Sequence, residues 1–435
     1  MRGRMPLFIN QRGLRNASWF SLIEKTMTRS ISFPPIAVAC LATVLSILPS
    51  FAQGPTEEDP ALVPILVWQL GRGDTAAAEQ LMGANLAKIK PHLEDVLDYI
   101  DRQFDIVGRF GAVSIRFGPG YGELEEYDRK HEPVFELYRR LSGDELLYKQ
   151  FEARKLRVDG AHLTNTAENV CGENLDWDQA KGLYETAIER LNAAFALARE
   201  QNDIRMMASA KTNIGSTLIR LGKPKEAFEA YQEGLRYAEQ MPFDLYKGLF
   251  RLNLANAYVW VGDADRALPF SREALTIFRR IQRGTWEANA LMTMGNAYLR
   301  QGRFADAWET LQLTIEVARK SGEQRVYGRA LLNLGMAGLQ LKKPDAMALV
   351  EESLDIYKKD TEVYPLIERE MILQQGLRML SQLAQQSGDQ ALAEQRMKEY
   401  YEIVGSDPDR FNKLRESPCF EIYQARPTSQ YQSAK

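Results

Sequence analysis

An all-α fold is what this sequence predicts: an α-α superhelix, a solenoid of stacked helical hairpins, with a helical subdomain ahead of it. Three observations carry that prediction. A column of small residues, Gly215, Ala255, Gly295 and Gly335, recurs with a spacing of 40. Seven residues beyond each stand Gly222, Gly262, Gly302 and then Lys342. On both sides of that central position apolar residues recur at three and four spacing, and no period-two alternation competes.

The remaining columns keep register. Ala227, Ala267 and Ala307 follow five residues after the central glycine, and Ala346 arrives one early in the fourth copy. Seven past each alanine is Gly234, Ala274, Thr314 or Ser353, with Leu235, Leu275, Ile315 and Leu354 one beyond. The central glycine ends a first helix, because glycine takes the left-handed C-cap conformation cheaply. The small columns let two helices approach closely. One hairpin cannot bury its own apolar face, so stacking creates the core.

Taken in chain order, residues 1–52 read as a signal peptide. Six basic residues and one acid precede the apolar run Ile36–Ala52, which closes on Ser50-Phe51-Ala52, so cleavage is expected after Ala52 and Met27 is a possible true start. The product is expected in the periplasm or secreted, with no stable membrane insertion after cleavage. The alternative is a membrane anchor formed by residues 36–52, against which stand its 17 residues and Pro49. Residues 53–143 form a helical N-terminal subdomain, broken at Pro91 and at FGPGYG. In it, Gly73 stands five residues before Ala78, as in a degenerate repeat. Residues 144–404 form the array, clearest at 208–241, 248–281, 288–321 and 328–359. In its first hairpin a helix over about 145–160 is followed by a long polar loop, AHLTNTAENVCGENLD, and the second helix runs about two turns longer than its counterparts. Gly388 and Ala393 mark a final hairpin whose charged last helix caps the stack. Residues 405–435 read as a tail.

The column pattern, apolar-Gly/Ala, an aromatic three on, Gly in the turn, then Ala and a second small residue, resembles the tetratricopeptide repeat (TPR). Its 40-residue period is similar to the long type of Pins/LGN and kinesin light chain proteins. The resemblance covers about residues 145–404 and implies a binding scaffold. It departs from the chaperone-binding carboxylate-clamp class, which needs Lys where this chain has Thr212, Leu252, Met292 and Leu332.

Composition narrows the function. The chain carries 55 basic and 58 acidic residues, and six of the former and one of the latter lie in residues 1–52, leaving a formal charge of −8 beyond them. That is no nucleic-acid footprint. The three histidines, His92, His131 and His162, are scattered, and no HExxH or GxSxG occurs, so no metal, cofactor or catalytic residue is expected and the chain reads as no enzyme. Gly71-x-Gly73-x-x-Ala76 lacks the strand a dinucleotide loop must follow. Cys171 and Cys419 flank the repeats, and a bridge would require the tail to fold back along the array; none is expected.

The candidate site lies on the first helices, which line the concave face in solenoids of the resembled type. Two before the small column stand Asn213, Asn253, Thr293 and Asn333; one after it, Ser216, Asn256, Asn296 and Met336; five after it, Arg220, Trp260, Arg300 and Gln340. Offsets of three, four and seven share one helix stripe. An amide donates and accepts at once, so such a ladder suits the backbone of an extended peptide or protein segment. Arg220 and Arg300 suit acidic groups, and Trp260 an apolar anchor. Peptide-binding members of the resembled families use asparagines at matching positions. The competing roles are a staple between neighbouring helices, an envelope hydrolase using groove carboxylates on glycans or peptidoglycan, and a peptide-sensing regulatory module.

Overall fold

A computed structural model describes residues 62–110, 121–359, 366–405 and 417–419. The expected leader, the first four residues of FGPGYG and most of the tail lie outside the described residues, and Tyr121 and Gly122 open a helix. The N-terminal helices are α1 (Leu62–Gly71), α2 (Thr75–Gly83), α3 (Leu86–Phe110) and α4 (Tyr121–Ser142). Six hairpins follow: α5 (Glu145–Asn169) with α6 (Trp177–Glu200), α7 (Ile204–Arg220) with α8 (Pro224–Glu239), and α9 (Leu245–Trp260) with α10 (Ala264–Arg280). Next come α11 (Gly284–Arg300) with α12 (Phe304–Ser321), α13 (Gln324–Leu341) with α14 (Ala346–Lys359), and α15 (Leu366–Ser387) with α16 (Gln390–Gly405). No strand occurs among the described residues, and none of their helices is long and apolar enough to cross a membrane.

One turn chemistry joins the helices. Gly222, Gly262 and Gly302 have φ of 71°, 82° and 69°, and the following amide returns to the carbonyl five residues back, as from Asp263 to Tyr258 at 2.8 Å. Lys342 takes the same conformation at φ 55°, and its successor Lys343 donates to Gly338 at 2.9 Å. Gly73 does likewise between α1 and α2, where Asp74 caps α2 through Ala77. The Gly71–Ala76 stretch is therefore a helix–helix turn.

The small columns hold the contact between layers. A Cβ on Gly295 would stand 2.7 Å from Leu311 Cδ2. Ala227, Ala267, Ala307 and Ala346 are wholly buried, as are Thr314 and Ser353. The longer α6 has 24 residues against 16 in α8, matching the two extra turns.

The polar stretch after residue 160 is not a loop. Helix α5 continues to Asn169 and passes into a π-helical turn, Val170–Asn174. Thr164 and Thr166 donate to the carbonyls of Gly160 and His162, so their polarity is satisfied within the helix while Ala161, Ala167 and Cys171 are buried.

The curvature follows from which helices touch. First helices of successive hairpins pack directly on one another, α5 on α7 and so on to α15, whereas second helices make no comparable contact. The first helices are thus the inner layer. Helix α15 also packs on the π-helical turn after α5, and its Met371 joins the cluster of Cys171, Leu175 and Trp177. The inner layer therefore returns to its own beginning. That return makes the disulfide possible: Cys171 and Cys419 are bonded, their Cα atoms 5.2 Å apart across 248 residues of sequence. The expectation of no bridge is corrected, because the curvature of the array carries the tail back to the first hairpin.

The N-terminal helices share this body. Asp101 of α3 accepts from Arg154 at 2.9 Å and from Arg157 at 2.9 Å, both on α5, and Arg157 also donates to Ser209 of α7 at 3.2 Å. Arg157 is wholly buried and stacks over Phe104 at 3.9 Å. Burial pushes the Asp101 carboxyl up, but Arg157, Arg154 and Arg205 outweigh it and hold it below the usual range.

Candidate functional site

The ladder columns sit on the inner layer, and two of their rungs are joined between repeats. Asn333 Nδ2 donates to Asn296 Oδ1 at 2.7 Å, linking α13 to α11. Thr293 Oγ1 donates to Asn256 Oδ1 at 2.6 Å, linking α11 to α9. In each case the residue one after the small column meets the residue two before it in the next repeat. This geometry staples neighbouring helices, yet it uses only one side of each amide. Asn256 Nδ2, Asn296 Nδ2 and Asn333 Oδ1 make no hydrogen bond among the described residues. Asn256 is exposed, and Asn296 and Asn333 are half-buried.

The first rungs differ. Asn213 turns back to the Ser209 carbonyl of its own helix at 2.9 Å. Ser216 bonds the Tyr231 hydroxyl of α8 at 3.0 Å, and burial pushes that phenol up to about 12 against the pull of Ser216. With Ser216 so engaged, Asn253 has no inter-repeat partner, and its half-buried amide makes no hydrogen bond among the described residues.

The column at the C-terminal ends of the first helices is divided. Arg300 is exposed. Arg220 is paired with Glu168 of α5 and donates to the Ser216 carbonyl at 3.0 Å, so its charge already ties two first helices together. Trp260 is 8% exposed, which corrects the expectation of an open apolar anchor. A large indole on a layer packed against neighbours on both sides is drawn out of water. No group of three or more His, Cys, Asp or Glu able to hold a metal occurs among the described residues.

Sequence reasoning missed Glu168, the partner of Arg220, because it lies in a stretch read as a loop. It also missed Glu368 of α15, which is buried against Arg325 at 2.6 Å and Arg329 at 2.7 Å of α13. Burial pushes the Glu368 carboxyl up, but the two guanidiniums prevail and hold it at about 2.

A family model described as tetratricopeptide repeat matches residues 249–320 and 286–359, and a second of the same description matches 208–241. Residues 208–241 and 249–359 of the array are tetratricopeptide repeats. A curated relative that the chain matches is the 43 kDa receptor-associated protein of the synapse from Gallus gallus, 23% identical over 145 residues, 33% of this chain and 35% of that one. The match thus spans about a third of that relative's length. Among solved structures, the chain is similar to the apo form of RapI, at 13% identity and a TM-score of 0.47 over 70% of this chain and 83% of that one. It is also similar to a Rap protein complexed with competence and sporulation factor, at 13% identity and 0.48 over 79% and 89%. Aspartyl phosphate phosphatase F from Bacillus subtilis gives 12% identity and 0.44 over 87% and 94%.

Proposed function

We propose that this TPR protein is an exported scaffold that holds a protein partner through an extended peptide segment on its inner layer, along Asn253, Asn256, Asn296 and Asn333, with Arg300 at the edge. The observation that carries the reading is the half-used ladder. The bonds from Asn333 to Asn296 and from Thr293 to Asn256 fix the amide planes and leave their other sides open. Amides held in place in this way bond a peptide backbone with little further loss of side-chain freedom. The spacing fits a backbone-reading site, since an extended chain presents a donor and an acceptor at every residue.

Export is supported by the leader-like residues 1–52 and by the Cys171–Cys419 bridge, since disulfides persist in oxidising compartments. The test is capture by cross-linking in the native cell, comparing the natural chain with a folded variant carrying Asn253→Ala, Asn256→Ala and Asn296→Ala. Each lost hydrogen bond costs about 1 kcal/mol, so capture should fall strongly. Undiminished capture would remove the inner layer as the binding surface.

A further inference from the structure

We propose that the N-terminal half of helix α4 is a proton-held clasp: it stays docked on α5 while the buried Asp128 carboxyl carries a proton, and it opens away from α5 when that proton is lost. The device lies outside the amide ladder and does not depend on what the inner layer binds.

Helices α4 and α5 pack antiparallel on either side of the turn at Gly143, and their contact is matched at each step but one. Counting away from the turn, Phe135 stacks on Phe151 at 4.2 Å, Glu132 pairs with Lys155, and Glu125 pairs with His162. Asp128 lies between the last two pairs on α4, and the charge that raises it most is another acid, Asp159 of α5. Asp128 is wholly buried, and neither of its oxygens has a hydrogen-bond partner among the described residues. A carboxylate so placed would have neither water nor a donor, whereas the neutral acid loses far less on burial. The docked contact therefore holds a proton there.

The groups around it do not supply a substitute. From α5, Lys155 is committed to Glu132 and Arg157 to Asp101, while Asp159 repels. On α4 itself, Glu125 repels and is taken up with His162. His131 is buried, donates Nδ1 to the Tyr127 carbonyl at 2.8 Å and stacks on the Tyr127 ring at 4.0 Å. From α3, Tyr99 lies against Tyr127 at 4.8 Å, and Asp101 faces its arginines. Helix α2 brings Glu79, which is held by Arg140 at the far end of α4, and α1 carries no titratable residue.

These neighbours settle before Asp128 does. Burial, with Glu125, pushes Asp159 up to about 6, so it is ionised above that pH. Burial holds His131 down to about 4, so it is neutral there. Burial raises both Tyr99 and Tyr127, which keep their protons. Once α4 opens, the Asp128 carboxyl meets water and returns to the ordinary range near 4. The docked form thus binds one proton more than the open form, and docking weakens as pH rises past neutrality to about 8. The Phe135–Phe151 stack and the turn keep the other half of α4 in place, so the helix pivots there. Because α1, α2 and α3 all pack on α4, opening alters how the N-terminal helices are held.

The experiment is amide hydrogen exchange of the full chain at pH 6.5 and 8.5, each rate corrected for intrinsic chemical exchange. Residues 124–131 should exchange faster at the higher pH, on the order of tenfold, while helices 264–280 and 304–321 do not change. Asp128→Asn, which stays neutral at both pH values, should abolish the rise. Asp159→Asn removes the repelling charge and should reduce it, and His162→Gln should leave it intact. No rise, a rise shared equally by all helices, a rise that persists in Asp128→Asn, or one lost in His162→Gln would overturn the proposal.

Discussion

Asn333 and Asn296 join two successive repeats through a single side-chain hydrogen bond of 2.7 Å. Their bond ties α11 to α13 across the inner layer, beside the direct packing of the two helices. Replacing both by Ala, singly and together, should give a coupling of about 1 kcal/mol in a double-mutant cycle of urea denaturation. A coupling near zero would show that the pair does not act as a staple.

Closure of the array depends on Cys171 and Cys419. Cys171→Ser or Cys419→Ser should lower stability by about 2–4 kcal/mol, seen as a lower thermal midpoint under non-reducing conditions. Adding reductant should produce the same drop in the natural chain and little change in the variants. A natural chain with two alkylatable thiols before reduction would refute the bridge.

The interface within a hairpin is tested at Gly295. A side chain there would stand 2.7 Å from Cδ2 and 2.8 Å from Cγ of Leu311, which is wholly buried, so the packed side chain must shift. Gly295→Ala should destabilise by about 1–3 kcal/mol, despite the higher helix propensity of alanine. A neutral or stabilising result would mean that propensity outweighs packing at this column.

Stability should fall as pH rises from about 4 to about 8, through Asp128. This carboxyl is wholly buried with both oxygens lacking a hydrogen-bond partner. Burial first, then Asp159 and Glu125, push it up to about 8 against Arg157 and Lys155. A folded pKa above the unfolded value means that the folded state keeps the proton, so stabilisation is complete below the unfolded pKa and declines until the folded pKa is passed. Asp128→Asn should be more stable than the natural chain at pH 8, on the order of a few kcal/mol, and similar to it at pH 4. Urea midpoints at the two pH values check this; a pH-independent difference would contradict it. Glu368 acts with the opposite sign: its contribution should be lost as pH falls through about 2.

The array was legible in the sequence because period, turn glycines and small columns each repeat, and repetition makes weak signals add. Lys342 shows the limit of residue identity, since the turn persists there without glycine. What local pattern could not show was global curvature. Whether Cys419 meets Cys171 depends on the summed rotation of six hairpins, and no window of sequence contains that sum. The ladder stripe was legible as a helix face, but which rungs bond each other depends on register between helices. Arg220 and Trp260 were therefore placed in the right layer without their neighbours, Glu168 and the packing that buries the indole. The polar run after residue 160 hid a helix because threonines can satisfy themselves on their own backbone.

The central claim, that the inner layer receives a partner's peptide, is tested most directly by amide hydrogen exchange of the chain with and without a captured partner. The account predicts slowed exchange in the first helices α9, α11 and α13, centred on Asn253, Asn256, Asn296 and Asn333. Slowing confined to the second helices α8, α10, α12 and α14 would contradict it.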